Sequence, residues 1–175
     1  MIRQLTILTL ILTICLTSCI QTKTKELKTS TFEIDTSIVA ILPNKTTHHW
    51  VFKGGKPTKL TSDDLLEIEH ILLKCIVEYN PYQEKKFEEI NAKHPDDNLD
   101  KNNFILDLSR YKRQYVAIIN SSGEKEVWVN CFCDAWDTAW KKNLIVADDG
   151  GNCFFNLKIN LTTGQYYDLM VNGDA

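Results

Sequence analysis

The feature that most constrains the fold is one long amphipathic segment, residues 61–79, set between stretches that read as β-structure. Thr61-Ser62-Asp63-Asp64 opens it. Thr61 can cap the first turn, Asp63 and Asp64 suit the positive end of a helix dipole, and Leu60 can staple onto Leu65. Leu65, Ile68, Leu72, Cys75, Ile76 and Tyr79 recur at helical spacing, and Leu66, Ile71, Leu73 and Val77 widen the stripe. So broad an apolar face needs a sheet to lie on. Asn80-Pro81 is expected to end the helix, because proline disfavours the α-conformation in the residue before it. A short second helix is expected around residues 85–91, with loop around it.

The flanking segments supply the sheet. Residues 32–42 (FEIDTSIVAIL) read as a strand closed by Pro43-Asn44, and residues 48–53 (HHWVFK) as a second strand closed by Gly54-Gly55. Together they predict a hairpin. Beyond the helix, residues 104–108, 111–119, 126–133, 143–147, 153–160 and 165–171 read as strands. Turn signals separate them at Ser121-Ser122-Gly123, Asp148-Asp149-Gly150-Gly151 and Thr162-Thr163-Gly164. The expected class is α+β: one long helix packed on a curved antiparallel sheet of about five to six strands. The layout is similar to that of cystatin-like folds, as an analogy of layout that carries no function.

The first residues carry a different signal. Arg3 precedes an apolar run, residues 5–16, that is 12 residues long and interrupted by Thr6, Thr9 and Thr13. That is well short of the ~20 residues a spanning helix needs, and it reads as an export signal. Leu16-Thr17-Ser18-Cys19 resembles the lipobox of bacterial lipoproteins. The resemblance implies cleavage before Cys19, acylation at Cys19 and attachment to a membrane through lipid. Ile20 after the cysteine implies, by the sorting rule of enteric lipoproteins, the outer membrane. Residues 19–30 (CIQTKTKELKTS) then form a lipidated, Lys-rich tether, and residues 31–175 a single domain. The last third, from Asp148 on, is similar to the ends of small uncharacterised envelope lipoproteins, a likeness that brings no activity with it.

Charge narrows the partners. The chain carries 20 basic and 23 acidic residues, a formal net charge of −3, and no clustered cations. Nucleic-acid binding is therefore not expected, since neutralising phosphates needs a basic patch. The expected partners are the membrane, through the anchor, and a protein of the envelope.

Six cysteines are present. Besides Cys15 in the signal and Cys19, the body holds Cys75, Cys131, Cys133 and Cys153, an even set that favours disulfides in an exported protein and leaves three connectivities open. Strand alternation places Val127, Val129, Cys131 and Cys133 on one face, and Cys153, Phe155, Leu157 and Ile159 on another. Both sets suit a core face beneath the helix that carries Cys75. Cys133 ends one strand and Cys153 begins the next, so antiparallel pairing would bring them together. Cys133–Cys153 is the favoured bond, with Cys75 and Cys131 free or weakly paired. A soft-metal site at Cys131-x-Cys133 is the alternative, but no second such pair and no matched histidines accompany it.

Several other residues are of types that can carry chemistry. His48 and His49 would point to opposite faces of a strand, His70 sits near the polar side of the helix, and His94 precedes Pro95 in a loop. Asp96, Asn98, Asp100 and Asp107 occupy EF-hand-like positions. Lys101 stands where the turn glycine belongs, Asn103 at the usual apolar position and Asp107 in place of the bidentate Glu, so a solvated acidic loop is expected. Trp136 and Trp140, four apart, are partner contacts if exposed and core if buried. Asp137-Thr138-Ala139 resembles the short sites that some bacteria O-glycosylate. No catalytic set and no cofactor motif emerges. The expectation is a non-catalytic, lipid-anchored envelope module that binds a partner or serves structure. An immunity or inhibitor protein, or a thiol- or metal-binding envelope protein, is the alternative.

Overall fold

The fold was taken from a computed structural model that describes residues 34–45, 50–133, 135 and 137–173. Cys19 with the rest of residues 1–30, His48, His49 and Trp136 lie outside the described residues. The remainder has one helix and a six-stranded sheet: β1 (Val39–Leu42), β2 (Lys56–Pro57), α1 (Ser62–Lys93), β3 (Lys112–Ile119), β4 (Lys125–Phe132), β5 (Phe154–Asn160) and β6 (Gln165–Val171). The sheet order is β1-β3-β4-β5-β6, with the two-residue β2 also pairing with β3.

Among the described residues, the hairpin expected from residues 32–53 is not formed. β1 instead runs parallel to β3, with Val39 opposite Arg113 and Leu42 opposite Val116. A parallel pair needs a long crossover, and α1 supplies it, so the helix is the link of a β-α-β unit. The sheet is consequently mixed: β3, β4, β5 and β6 are antiparallel neighbours, and β1 is the parallel exception.

The start of α1 follows from sequence. Thr61 Oγ1 accepts from the Asp64 amide at 3.2 Å, and the Thr61 amide donates to Asp64 Oδ2 at 2.7 Å, a reciprocal capping box. Its end does not. The helix continues through Pro81 to Lys93. Proline removes the bond to the carbonyl four residues back, here that of Val77, whose side chain is 70% exposed. On that solvent side water can take the freed carbonyl. The second half of α1 is also held from outside. Asn80 pairs in both directions with the Leu106 backbone at 2.8 Å each, Phe87 meets Phe104 edge-on, and Lys101 bonds Glu84 at 2.8 Å.

Residues 104–108, expected as a strand, belong to a run of 3-10 turns at Pro95–Asp97, Lys101–Asn103 and Leu108–Arg110. Asp100 and Asp107 cap two of them. Asn152 Nδ2 donates to the carbonyls of Asn102 and Ile105 at 2.7 Å each, so side chains rather than a neighbouring strand satisfy this backbone. Residues 143–147 are likewise irregular.

Both faces of the sheet are covered. Toward α1 lie Tyr115, Ala117, Val127, Val129, Cys131, Phe155, Leu157 and Ile159, packed with Leu65, Ile68, Ile71, Leu72, Cys75 and Ile76. Leu66, Leu73 and Val77, counted in the stripe from sequence, are exposed instead. Across the sheet, Val116, Ile118, Trp128 and Phe132 pack with Val51, Phe52, Trp140 and Ile145 from loops. This explains why β3 is buried at six successive positions. A bulge in β6 keeps its pattern in phase. Asp168 takes φ 52°, and the register shifts between Asn156 and Lys158. The extra residue lets Tyr166, Leu169 and Val171 all pack on the helix side. It also sends Met170 outward, 62% exposed.

Candidate functional site

The antiparallel β4–β5 register pairs Phe132 with Phe154, so the next residues out are Cys133 and Cys153. They form a disulfide with Cα atoms 5.1 Å apart, and the Cys133 amide donates to the Cys153 carbonyl at 2.9 Å. The bond closes a loop over a sequence separation of 20 residues. It also removes two sulfurs from any metal set. Cys75 and Cys131 are free and buried in the core beneath α1. Burial pushes the Cys75 thiol up to about 11, against a hydrogen bond from Tyr166, and burial pushes Cys131 well above the ordinary thiol range. Both are therefore neutral core groups near neutral pH. No group of three or more His, Cys, Asp or Glu suited to a metal occurs among the described residues.

The disulfide loop is folded back onto the outer face of the sheet. Trp140 is buried there against Phe132, so it is core and not a surface contact. The polar device that holds the loop is Gln114, which is fully buried at the centre of β3. Its Nε2 donates to the carbonyls of Trp140 and Asn143, the latter at 2.7 Å. Its Oε1 accepts from the Ile145 amide at 3.0 Å and from Asn130 Nδ2 at 3.1 Å. Asn130, opposite it on β4, also donates to the Ile145 carbonyl at 2.8 Å. Every polar atom of the Gln114 amide is thus engaged, and an irregular strand of chain acquires the ladder it lacks.

Beside this strap lies a groove of about 300 Å3. One wall is the strap itself, Ile145 to Asp148; the floor is Trp128, Asn156 and Phe154; Trp50 and Met170 stand at the rim. Trp50 is 50% exposed and meets Trp128 edge-on, with ring centroids 5.5 Å apart and planes at 85°. Trp128 Nε1 donates to Asn156 Oδ1 at 3.1 Å. Asn172, at the other end, donates through Nδ2 to the carbonyls of Ala147 and Asp149. The sequence pattern pointed to Trp136 and Trp140 and missed Trp50 and Met170. Trp50 has no local periodicity, and Met170 faces outward only because of the β6 bulge.

The remaining candidates that the structure describes do not line this groove. His70 and His94 are exposed and sit 3.8 Å from Glu67 and Asp97. In the acidic loop Asp100 and Asp107 each accept a capping bond through Oδ1, and Asn98 takes a left-handed conformation. Asp137 likewise accepts from the Ala139 amide and from Asn143, and Thr138 is exposed. A second polar cluster lies under α1. Tyr115 donates to Glu69, and Arg113 Nε lies 3.4 Å from the same oxygen without the alignment of a hydrogen bond. Burial, then the Glu69 charge, pushes the Tyr115 hydroxyl far up, so it stays protonated as a donor.

Compared with models of known families, with characterised proteins and with solved structures, the chain matches none.

Proposed function

We infer that this chain is a lipid-anchored protein of the bacterial cell envelope whose folded domain binds a partner and carries out no catalysis. The groove beside the strap carries the reading. It combines half-exposed aromatic and thioether surface with a rigid frame, which is the composition of binding surfaces rather than of acid–base chemistry. The disulfide supports an oxidising compartment. The lipobox-like Leu16-Thr17-Ser18-Cys19 supports attachment through Cys19, with Ile20 favouring the outer membrane. No helix among the described residues is long and apolar enough to cross a membrane.

Two measurements test this. Fractionation of cells making the full chain should find it with membranes, and Cys19→Ser should release it or leave it unprocessed. Unchanged membrane attachment of that variant overturns the anchor. For the docking face, a photo-crosslinking side chain placed at position 170 should capture an envelope component, while one at position 85, on the exposed side of α1, should not. Equal capture at both positions, or none at 170, overturns the groove as the contact.

A further inference from the structure

We propose that the groove between the strap and β6 binds a neutral saccharide, the end of an oligosaccharide chain, with Trp50 as the stacking platform and Asn156 and Asn172 as the hydroxyl partners. The inference rests on the groove being a docking face and adds the class of its occupant.

Three observations converge on that class. The first is the aromatic surface. Trp128 is buried, but in their edge arrangement it can cover at most one face of the Trp50 ring, and Trp50 is half-exposed at the rim. A pyranose has an apolar C–H face of the right size to lie on such a ring, and a fully polar ligand does not. The second is the pair of amides. Asn156 uses Oδ1 on Trp128 and leaves Nδ2 without a partner among the described residues. Asn172 spends Nδ2 on two backbone carbonyls and leaves Oδ1 without one. One fixed donor and one fixed acceptor match a hydroxyl-bearing ligand, since each hydroxyl can accept and donate. Each amide is held by the bonds it already makes, so little ordering remains to be done on binding. The third is charge. Among the described residues, the one ionisable group lining the groove is Asp148, so an anionic sugar or a phosphate would meet repulsion from it. Lys158, opposite Trp128 in the β4–β5 register, is paired with Asp168 at 3.0 Å. The volume of about 300 Å3 lies at the small end of ligand pockets, which fits the terminus of a chain rather than a large cofactor.

The test titrates the full chain, in detergent, with neutral gluco-, galacto- and manno-configured hexasaccharides and with an oligogalacturonate of equal length. Binding is read by tryptophan fluorescence and calorimetry. At least one neutral sugar should bind and shift the emission, while the oligogalacturonate should bind at least tenfold more weakly. Trp50→Ala should weaken the neutral sugar by tenfold or more, and Asn156→Ala by about threefold to tenfold, with unchanged circular dichroism. Absence of binding by all three neutral sugars, or binding that survives Trp50→Ala, overturns the saccharide. If position 170 still crosslinks a polypeptide in cells while no sugar binds, the docking face stands and the ligand class is wrong. If both are negative, both readings fall.

Discussion

Replacing Gln114 by leucine is the sharpest test of how the outer face is held. Leucine fills nearly the same volume, so the change removes polar atoms without opening a large cavity. It strands the Ile145 amide, the Trp140 and Asn143 carbonyls and one hydrogen of Asn130. At ~1 kcal/mol net for each bond, with a further penalty for the buried Ile145 amide, the total comes to about 4–5 kcal/mol. The protein has a way to lower that cost: the strap can lift. Lifting exposes Trp140 and Ile145, now 6% and 3% accessible, at roughly 1.5–3 kcal/mol each. The observed loss should therefore be about 3–5 kcal/mol. For a domain of this size that is a fall in Tm of roughly 6–20 °C. Urea unfolding followed by circular dichroism measures the loss, and hydrogen exchange at the Ile145 amide reports whether the strap has lifted. Gln114→Glu should be worse than leucine at neutral pH, because a carboxylate would face two carbonyls. A loss below about 1 kcal/mol for Gln114→Leu, with Ile145 still protected, would refute the argument that these bonds hold the strap.

Four further outcomes are expected. Replacing Cys133 and Cys153 together by serine should cost about 3 kcal/mol, from loop-closure entropy over the 20-residue separation, in urea unfolding with and without reductant. Its effect should be non-additive with Gln114→Leu, because both constrain the same strap. Asp64 is pushed up by burial, but bonds from Lys125 and Thr61 outweigh this and hold its pKa below the ordinary carboxylate value. The stability it contributes is thus complete above the unfolded value near pH 4 and lost as pH falls through the lower folded value, so Asp64→Asn should flatten the acid limb of a stability–pH curve. Glu69→Gln leaves Arg113 buried without its counter-charge and should destabilise by about 2–3 kcal/mol in the same urea assay, and a neutral result would show that water reaches the guanidinium. Site-resolved alkylation at pH 8 should leave Cys75 and Cys131 unmodified until denaturant is added, and modification of either in the native protein contradicts their burial.

Features carried by near neighbours in the chain were legible in the sequence. The Thr61–Asp64 box, the alternation of Val127, Val129 and Cys131, and the turn at Gly164 depend on local geometry, which composition and spacing encode directly. The Cys133–Cys153 pairing was readable too, because one cysteine follows the end of β4 and the other precedes the start of β5, and antiparallel pairing of those strands brings the two ends together. The parallel placement of β1 was decided only by the tertiary structure, since a strand pattern does not name its neighbour. The same holds for the length of α1. Pro81 reads as a stop, yet Asn80 finds Leu106, 26 residues on, and the helix runs through. Gln114 and Asn130 look like ordinary polar residues within strands until a distant irregular segment supplies their partners. The groove belongs to this second kind. Trp50, Asp148, Asn156 and Met170 come from four separate stretches, and only the β6 bulge and the strap bring them to one surface.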